Sequence, residues 1–224
     1  MGSPRLIQIT HARRGIPWRA IGVVAAPAVA LIASAFIFYR SAVAWSLLRQ
    51  GMLVWAVTAA FVLDEPSAPV VKATPRSPTW WHATRFLGAL PLLAAPILAA
   101  RVWAIDRPEA HAFGLSIQTI AAWLMVLAGA AVASRVGRNT PGEVVAGGAV
   151  LIVLFLLVHP FSIAGVPLLP HPVDPNWDQS IMLWSLLGTA AVITIAVTGW
   201  WRPRPTPTQN PPLDSETLQK PANG

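Results

Sequence analysis

The sequence predicts an all-α integral membrane protein of six transmembrane helices, with both its N- and C-termini cytoplasmic. Three observations carry that prediction. Of the 224 residues, 54% are hydrophobic and only 11% charged, a balance too apolar for a water-soluble domain of this size. The apolar residues fall in long runs, each near the twenty or so residues needed to cross a hydrocarbon core of about 30 Å. The basic residues gather at alternate ends of those runs.

Residues 1–19 carry Arg5, Arg13, Arg14 and Arg19 among Leu6, Ile7, Ile9, Ile16 and Trp18. That pattern suits a short interfacial helix on the cytoplasmic side, although Pro4, Gly15 and Pro17 equally suit an irregular basic tail. The first span, 20–38, contains Ala33-Ser34-Ala35, which imitates a signal-peptidase site. The apolar run continues past it through Phe36, Ile37 and Phe38, longer than a signal sequence requires, so the segment is read as a span. Residues 39–42 then join it to a second span, 43–63, as a tight hairpin or as a bend in one helical unit.

The third span, 86–105, contains Pro91 and Pro96, each of which removes a helix donor and can kink the chain. Packing around the kinks is preferred here to a hinge, because prolines are frequent in membrane helices. The fourth span is 115–133, where Gly129 and Ala133 have the small-residue spacing of a close helix contact. A turn with Arg135 and Arg138 leads to the fifth span, 144–158. The proline-rich stretch that follows leaves the membrane or lies along it. The sixth span, 181–201, closes on Trp200-Trp201, a pair suited to the headgroup level. Residues 202–224 are too rich in proline and polar groups to pack and form a disordered cytoplasmic tail.

Sixteen Lys and Arg against nine Asp and Glu give a net charge of +7. On a soluble chain that excess would suggest nucleic acid, but no recognition helix, zinc spacing or basic-aromatic alternation accompanies it. Orientation explains it better. With the N-terminus inside, Arg5, Arg13, Arg14, Arg19, Lys72, Arg76, Arg85, Arg135, Arg138, Arg202, Arg204 and Lys220 are cytoplasmic, and only Arg40 and Arg107 among the loop bases are outside. The 170–180 loop, which has no base, also falls outside. The plasma membrane is the expected location and the lipid bilayer the first partner; homo- or hetero-oligomeric association is left open.

Chemistry-bearing motifs are sparse. Cysteine is absent, which removes disulfides, thiolate metal sites and cysteine nucleophiles. No Asp or Glu lies inside a span, against a proton-coupled mechanism. There is no phosphate-binding glycine loop and no dinucleotide fingerprint, so any ATP must be hydrolysed by another chain. No hydrolytic triad has local support. The chain is therefore read as non-enzymatic, without catalytic residues, cofactor or metal. His159 and His171, with Met182 nearby, are too few ligands to define a metal site.

Two features remain as candidate sites. Arg49 in the second span, Arg101 in the third and Gln118 in the fourth are polar groups at membrane depth, suited to an anionic or zwitterionic ligand or to snorkelling and interhelical hydrogen bonds. Gln118 and its neighbour Thr119 are read as interhelical hydrogen-bond partners. The second feature is the 64–85 loop, with Asp64, Glu65, Lys72, Arg76 and Arg85 as partner-contact residues. Asp64 is placed to cap a short loop helix with Pro66 in its first turn.

The run Ala59-Ala60-Phe61-Val62-Leu63-Asp64-Glu65-Pro66-Ser67-Ala68, followed by Ala73-Thr74-Pro75 and bases up to Arg85, resembles a group of multi-span membrane proteins of high-GC Gram-positive bacteria. Usual members have a second Asp where this chain has Glu65. These proteins are commonly described as membrane components of ABC transporters, similar to the ABC-2 export class. The resemblance extends through the six spans and the 135–142 turn and stops before the tail. It implies a permease-type subunit whose segments 1–19 and 64–85 meet a separate ATPase. Two alternatives stand beside it: an accessory or structural membrane protein that transports nothing, and a metal-handling membrane protein or enzyme using His159 and His171.

Overall fold

The structure, a computed structural model, describes residues 17–41, 43–64, 78–105, 112–136, 140–158, 162–163 and 165–200. Among the described residues six α-helices follow one another: α1 (Trp18–Ile37), α2 (Ala44–Ala56), α3 (Pro78–Trp103), α4 (Ala112–Arg135), α5 (Pro141–Val158) and α6 (Trp177–Trp200). A 3-10 helix, Val57–Leu63, prolongs α2, and a ribbon of β1 (Ser162–Ile163) and β2 (Val166–Pro167) lies between α5 and α6. Among the described residues five stretches are long and apolar enough to cross a membrane: α1, α2 with its extension (Ala44–Leu63), Phe86–Trp103 within α3, α4, and Trp177–Thr198 within α6. The apolar part of α5, Pro141–Leu156, is shorter. The expected interfacial helix within 1–16, the loop helix within 65–77 and the tail from 202 lie outside the described residues.

The chain turns at residues 38–41 in a true hairpin rather than a bend. Phe38 and Ser41 make turn hydrogen bonds to the carbonyls of Ser34 and Phe38 at 2.9 and 2.8 Å, and α1 then packs antiparallel along α2. Ala35 lies with Ala44 and Trp45 at one end, and Ile21 lies with Val57 and Phe61 at the other. Midway the backbones meet at Gly51. A methyl there would lie 2.7 Å from Ile32 Cγ1 and 3.0 Å from the Ala28 carbonyl oxygen, so only glycine lets the helices come this close.

The extended α2 and α4 are the most buried spans, while α1, α3 and α6 keep most of their residues outward. The outward residues include Val23, Leu87, Leu98, Leu186 and Ile193, as expected of helices that are apolar all round. The switch from α to 3-10 geometry comes at Val57-Thr58, where the Thr58 hydroxyl donates to the Trp55 carbonyl at 2.7 Å. The narrower 3-10 helix presents Ala59 and Ala60, both fully buried, and lets neighbouring helices close in. Gly129 faces α5 as its spacing suggested, with Val145 Cγ1 3.2 Å from where a methyl would sit.

Pro96 leaves a carbonyl without its helical donor, that of Leu92 four residues earlier. Trp55 on α2 supplies the missing hydrogen, its indole Nε1–H reaching the Leu92 oxygen at 2.5 Å. The buried proline is thus packed around, and its backbone deficit is met by a side chain from the next helix.

Candidate functional site

At one end of the bundle the chain leaves the 3-10 helix at Asp64, whose backbone turns to the extended conformation. Its carboxylate crosses to α5, where Oδ1 accepts the Gly142 N–H at 2.6 Å across 78 residues of sequence. Pro141 opens α5 and has no N–H of its own, so Gly142 presents the first free donor of that helix. Asp64 supplies both an acceptor and a negative charge to a helix N-terminus. It is 7% exposed. A methyl at position 142 would collide with the Asp64 carboxylate and lie 2.6 Å from the Ala60 carbonyl oxygen. The capped helix is α5, which the sequence did not foresee, and the loop helix it was assigned to falls outside the described residues.

Glu143 in the first turn of α5 and Arg135 in the last turn of α4 are both exposed at this end. Glu65, Lys72, Arg76 and Arg138 lie outside the described residues, as does the side chain of Arg85 on α3. Helix α3 starts at Pro78, eight residues ahead of the apolar stretch that begins at Phe86. The helix therefore reaches well beyond the expected span.

At the opposite end lies the largest departure from expectation. The proline-rich stretch does not simply leave the bundle; after β2 it tucks back between α2 and α6. Gly165, at φ +82°, makes the turn between the two short strands. Leu168, Pro170 and Pro172 are buried, and three consecutive carbonyls are taken by side chains. Leu168 oxygen accepts from Trp184 Nε1 at 2.8 Å and from Ser180 Oγ at 3.2 Å. Leu169 and Pro170 oxygens accept from Arg49 Nη1 at 2.9 and 2.7 Å. Arg49 lies five residues into α2, about 7.5 Å along its axis, and Trp184 seven residues into α6, about 10 Å. Irregular backbone at such depth persists only where its polar groups are met by protein. The Asp174 carboxylate finishes the segment by accepting from the Asn176 backbone at 2.8 Å.

Beneath this segment is an aromatic cluster. Trp45 lies 5.8 Å from Trp103 and 5.9 Å from Trp177, ring centre to ring centre. The exposed His171 ring is 6.2 Å from Trp45. Leu48, Met52 and Leu115 complete the packing. His159 lies outside the described residues, and among those described no three His, Cys, Asp or Glu side chains gather in a way that could hold a metal.

The three polar residues singled out within the spans part company here. Arg101 is exposed on α3. Arg49 reaches the tucked segment, and its Nε is buried without a partner among the described residues. Gln118 is 1% exposed, and among the described residues neither of its amide atoms has a partner, so the interhelical hydrogen bond expected of it is not seen there. Thr119 turns back on its own helix, donating to the Leu115 carbonyl at 2.8 Å, because a hydroxyl on a helix finds that oxygen within reach. Trp45 Nε1 and Trp123 Nε1 are likewise buried and unpartnered among the described residues. Ser180 and Trp184 were missed in the sequence. Their signal was local only in part: a serine and a tryptophan at helical spacing after an acidic, base-free loop.

Compared with known protein families, with curated proteins and with solved structures, the chain matches none, so its function is argued from this geometry.

Proposed function

We propose that the chain is the permease-type, membrane-spanning subunit of an ABC transporter in the plasma membrane, with six spans, cytoplasmic termini and a separate ATPase as its partner. The observation that carries this reading is the bond from Asp64 to Gly142. The 64–78 segment leaves α2 and enters α3 by covalent continuity, and through Asp64 it is tied to α5. A push on it is therefore delivered to three helices together. That is the mechanical input an energy-consuming partner requires. The ATPase must be another chain, because this one has no nucleotide-binding motif of the Walker type.

Six spans are supported by α5: its 18 residues rise about 27 Å, close to a hydrocarbon thickness of about 30 Å. A sixth span also puts Arg202, Arg204 and Lys220 of the tail on the same side as the basic turns. The Asp64 end is then cytoplasmic, and the tucked segment is outside. The subunit performs no bond chemistry of its own; closure of the ATPase against the 64–85 loop alternates access between the helices.

The test is copurification in mild detergent. A nucleotide-binding protein should be recovered with the native chain, and Lys72→Glu with Arg76→Glu should weaken its recovery. Recovery of other membrane proteins and no ATPase favours the accessory reading instead. Stoichiometric copper or zinc in the purified protein would point to the metal-handling alternative.

A further inference from the structure

A guanidinium offers five N–H donors, and those of Arg49 are incompletely met. Nη1 serves the carbonyls of Leu169 and Pro170, while the buried Nε serves nothing. Both partners are neutral, so among the described residues the charge has no counter-ion. A cation kept at membrane depth on these terms is costly and points to a ligand. One helical turn away on the same face of α2, the Trp45 indole N–H is also buried and unpartnered.

Carbonyl oxygens are weak partners for a guanidinium compared with phosphate oxygens, which accept two parallel charge-assisted bonds. The carbonyls that occupy Arg49 belong to a segment with no regular structure between β2 and α6, joined to the bundle by side-chain bonds that can be exchanged. We propose that Arg49 is the binding site for a phosphate-type oxyanion, and that the 168–176 segment is a plug whose Leu169 and Pro170 carbonyls hold that place until the anion displaces them. Trp45 Nε1 is then positioned as an additional donor to the anion. The inference goes beyond the transport reading and requires no ATPase. A free phosphate and the headgroup of an anionic lipid share this chemistry.

The chain has no cysteine, so Leu168→Cys adds a unique reporter at a position only 7% exposed. The variant is placed in phosphatidylcholine nanodiscs, where both faces meet the solvent, and its maleimide labelling rate is measured. Val173→Cys, at a position 78% exposed, reports on reagent access. Labelling of Leu168→Cys should rise about tenfold when the plug opens, as expected for a local opening governed by charged hydrogen bonds. A rise with inorganic phosphate over chloride at equal ionic strength identifies a free anion. A rise on exchanging part of the lipid for phosphatidylglycerol identifies a headgroup. Arg49→Met in the same background should label rapidly throughout and respond to neither. Indifference of the native-Arg49 protein to both additions overturns the proposal, as does a response that survives Arg49→Met. Should Leu168→Cys not give a monodisperse preparation, Ser180→Cys, fully buried under the same carbonyl, provides the same readout.

Discussion

Trp55 donates its indole hydrogen to the Leu92 carbonyl at 2.5 Å, the oxygen that Pro96 leaves without a backbone donor. Trp55→Phe removes that donor and should cost about 1–3 kcal/mol, the usual penalty for a stranded buried acceptor. Pro96→Ala returns a main-chain N–H to the same oxygen. In that background Trp55→Phe should therefore cost clearly less. Detergent-phase thermal unfolding of the four proteins in the cycle measures the coupling, and equal costs in both backgrounds would refute the compensation.

Gly142→Ala tests the tie between the loop and α5. The added methyl meets the Asp64 carboxylate, which must give up its bond to turn away, and the Ala60 carbonyl, which is backbone of the 3-10 helix and cannot retreat without moving it. A loss of about 1–3 kcal/mol is expected for such overpacking. Asp64→Asn keeps an acceptor of the same shape but loses the charge at the helix N-terminus, and should cost no more than about 2 kcal/mol. Asp64→Ala should exceed Asp64→Asn. Thermal unfolding that ranked Asn and Ala equally would mean that the bond to Gly142 contributes little.

The hairpin of α1 and α2 depends on Gly51. Gly51→Ala should destabilise the fold by about 1–3 kcal/mol through overpacking, and Gly51→Ile should separate the two helices. Because the nearest atom to the new methyl is Ile32 Cγ1, Ile32→Ala should recover part of the loss. The Ala28 carbonyl, at 3.0 Å, belongs to the backbone and prevents full recovery. Limited proteolysis between residues 38 and 44, together with thermal unfolding, reads both effects.

Arg49 and Arg101 look alike in the sequence, each a lone base in an apolar run, and the structure separates them. Arg101→Gln, at an exposed position, should change stability by no more than about 0.5 kcal/mol. Arg49→Gln leaves the carbonyls of Leu169 and Pro170 with one short neutral donor in place of a long charged one, and should cost about 3 kcal/mol. Thermal unfolding of the two variants side by side distinguishes them.

The helices were legible in the sequence because each is written locally, as a long apolar run, five of them long enough to cross a membrane. Boundaries failed where polarity and helicity diverge. Residues 78–85 read as loop because they carry Trp80, Trp81, His82 and Arg85, yet they form the first two turns of α3. The polar relationships were not legible, because each is long-range. Nothing near Asp64 names a partner 78 residues away, and nothing near Pro96 names Trp55. The tucked segment was misread for the same reason. Its prolines exclude a helix, but Arg49 on α2 and Ser180 and Trp184 on α6 satisfy its buried carbonyls.

The account turns on the side of the membrane that each end of the bundle faces. Single cysteines at Lys72 and Val173, introduced into this cysteine-free chain, are exposed to a membrane-impermeant maleimide in intact cells and again after permeabilisation. The account predicts that residue 173 is labelled from outside and residue 72 only once the membrane is opened. Labelling of residue 72 in intact cells would contradict it, since the segment between Asp64 and α3 would then be out of reach of any cytoplasmic ATPase.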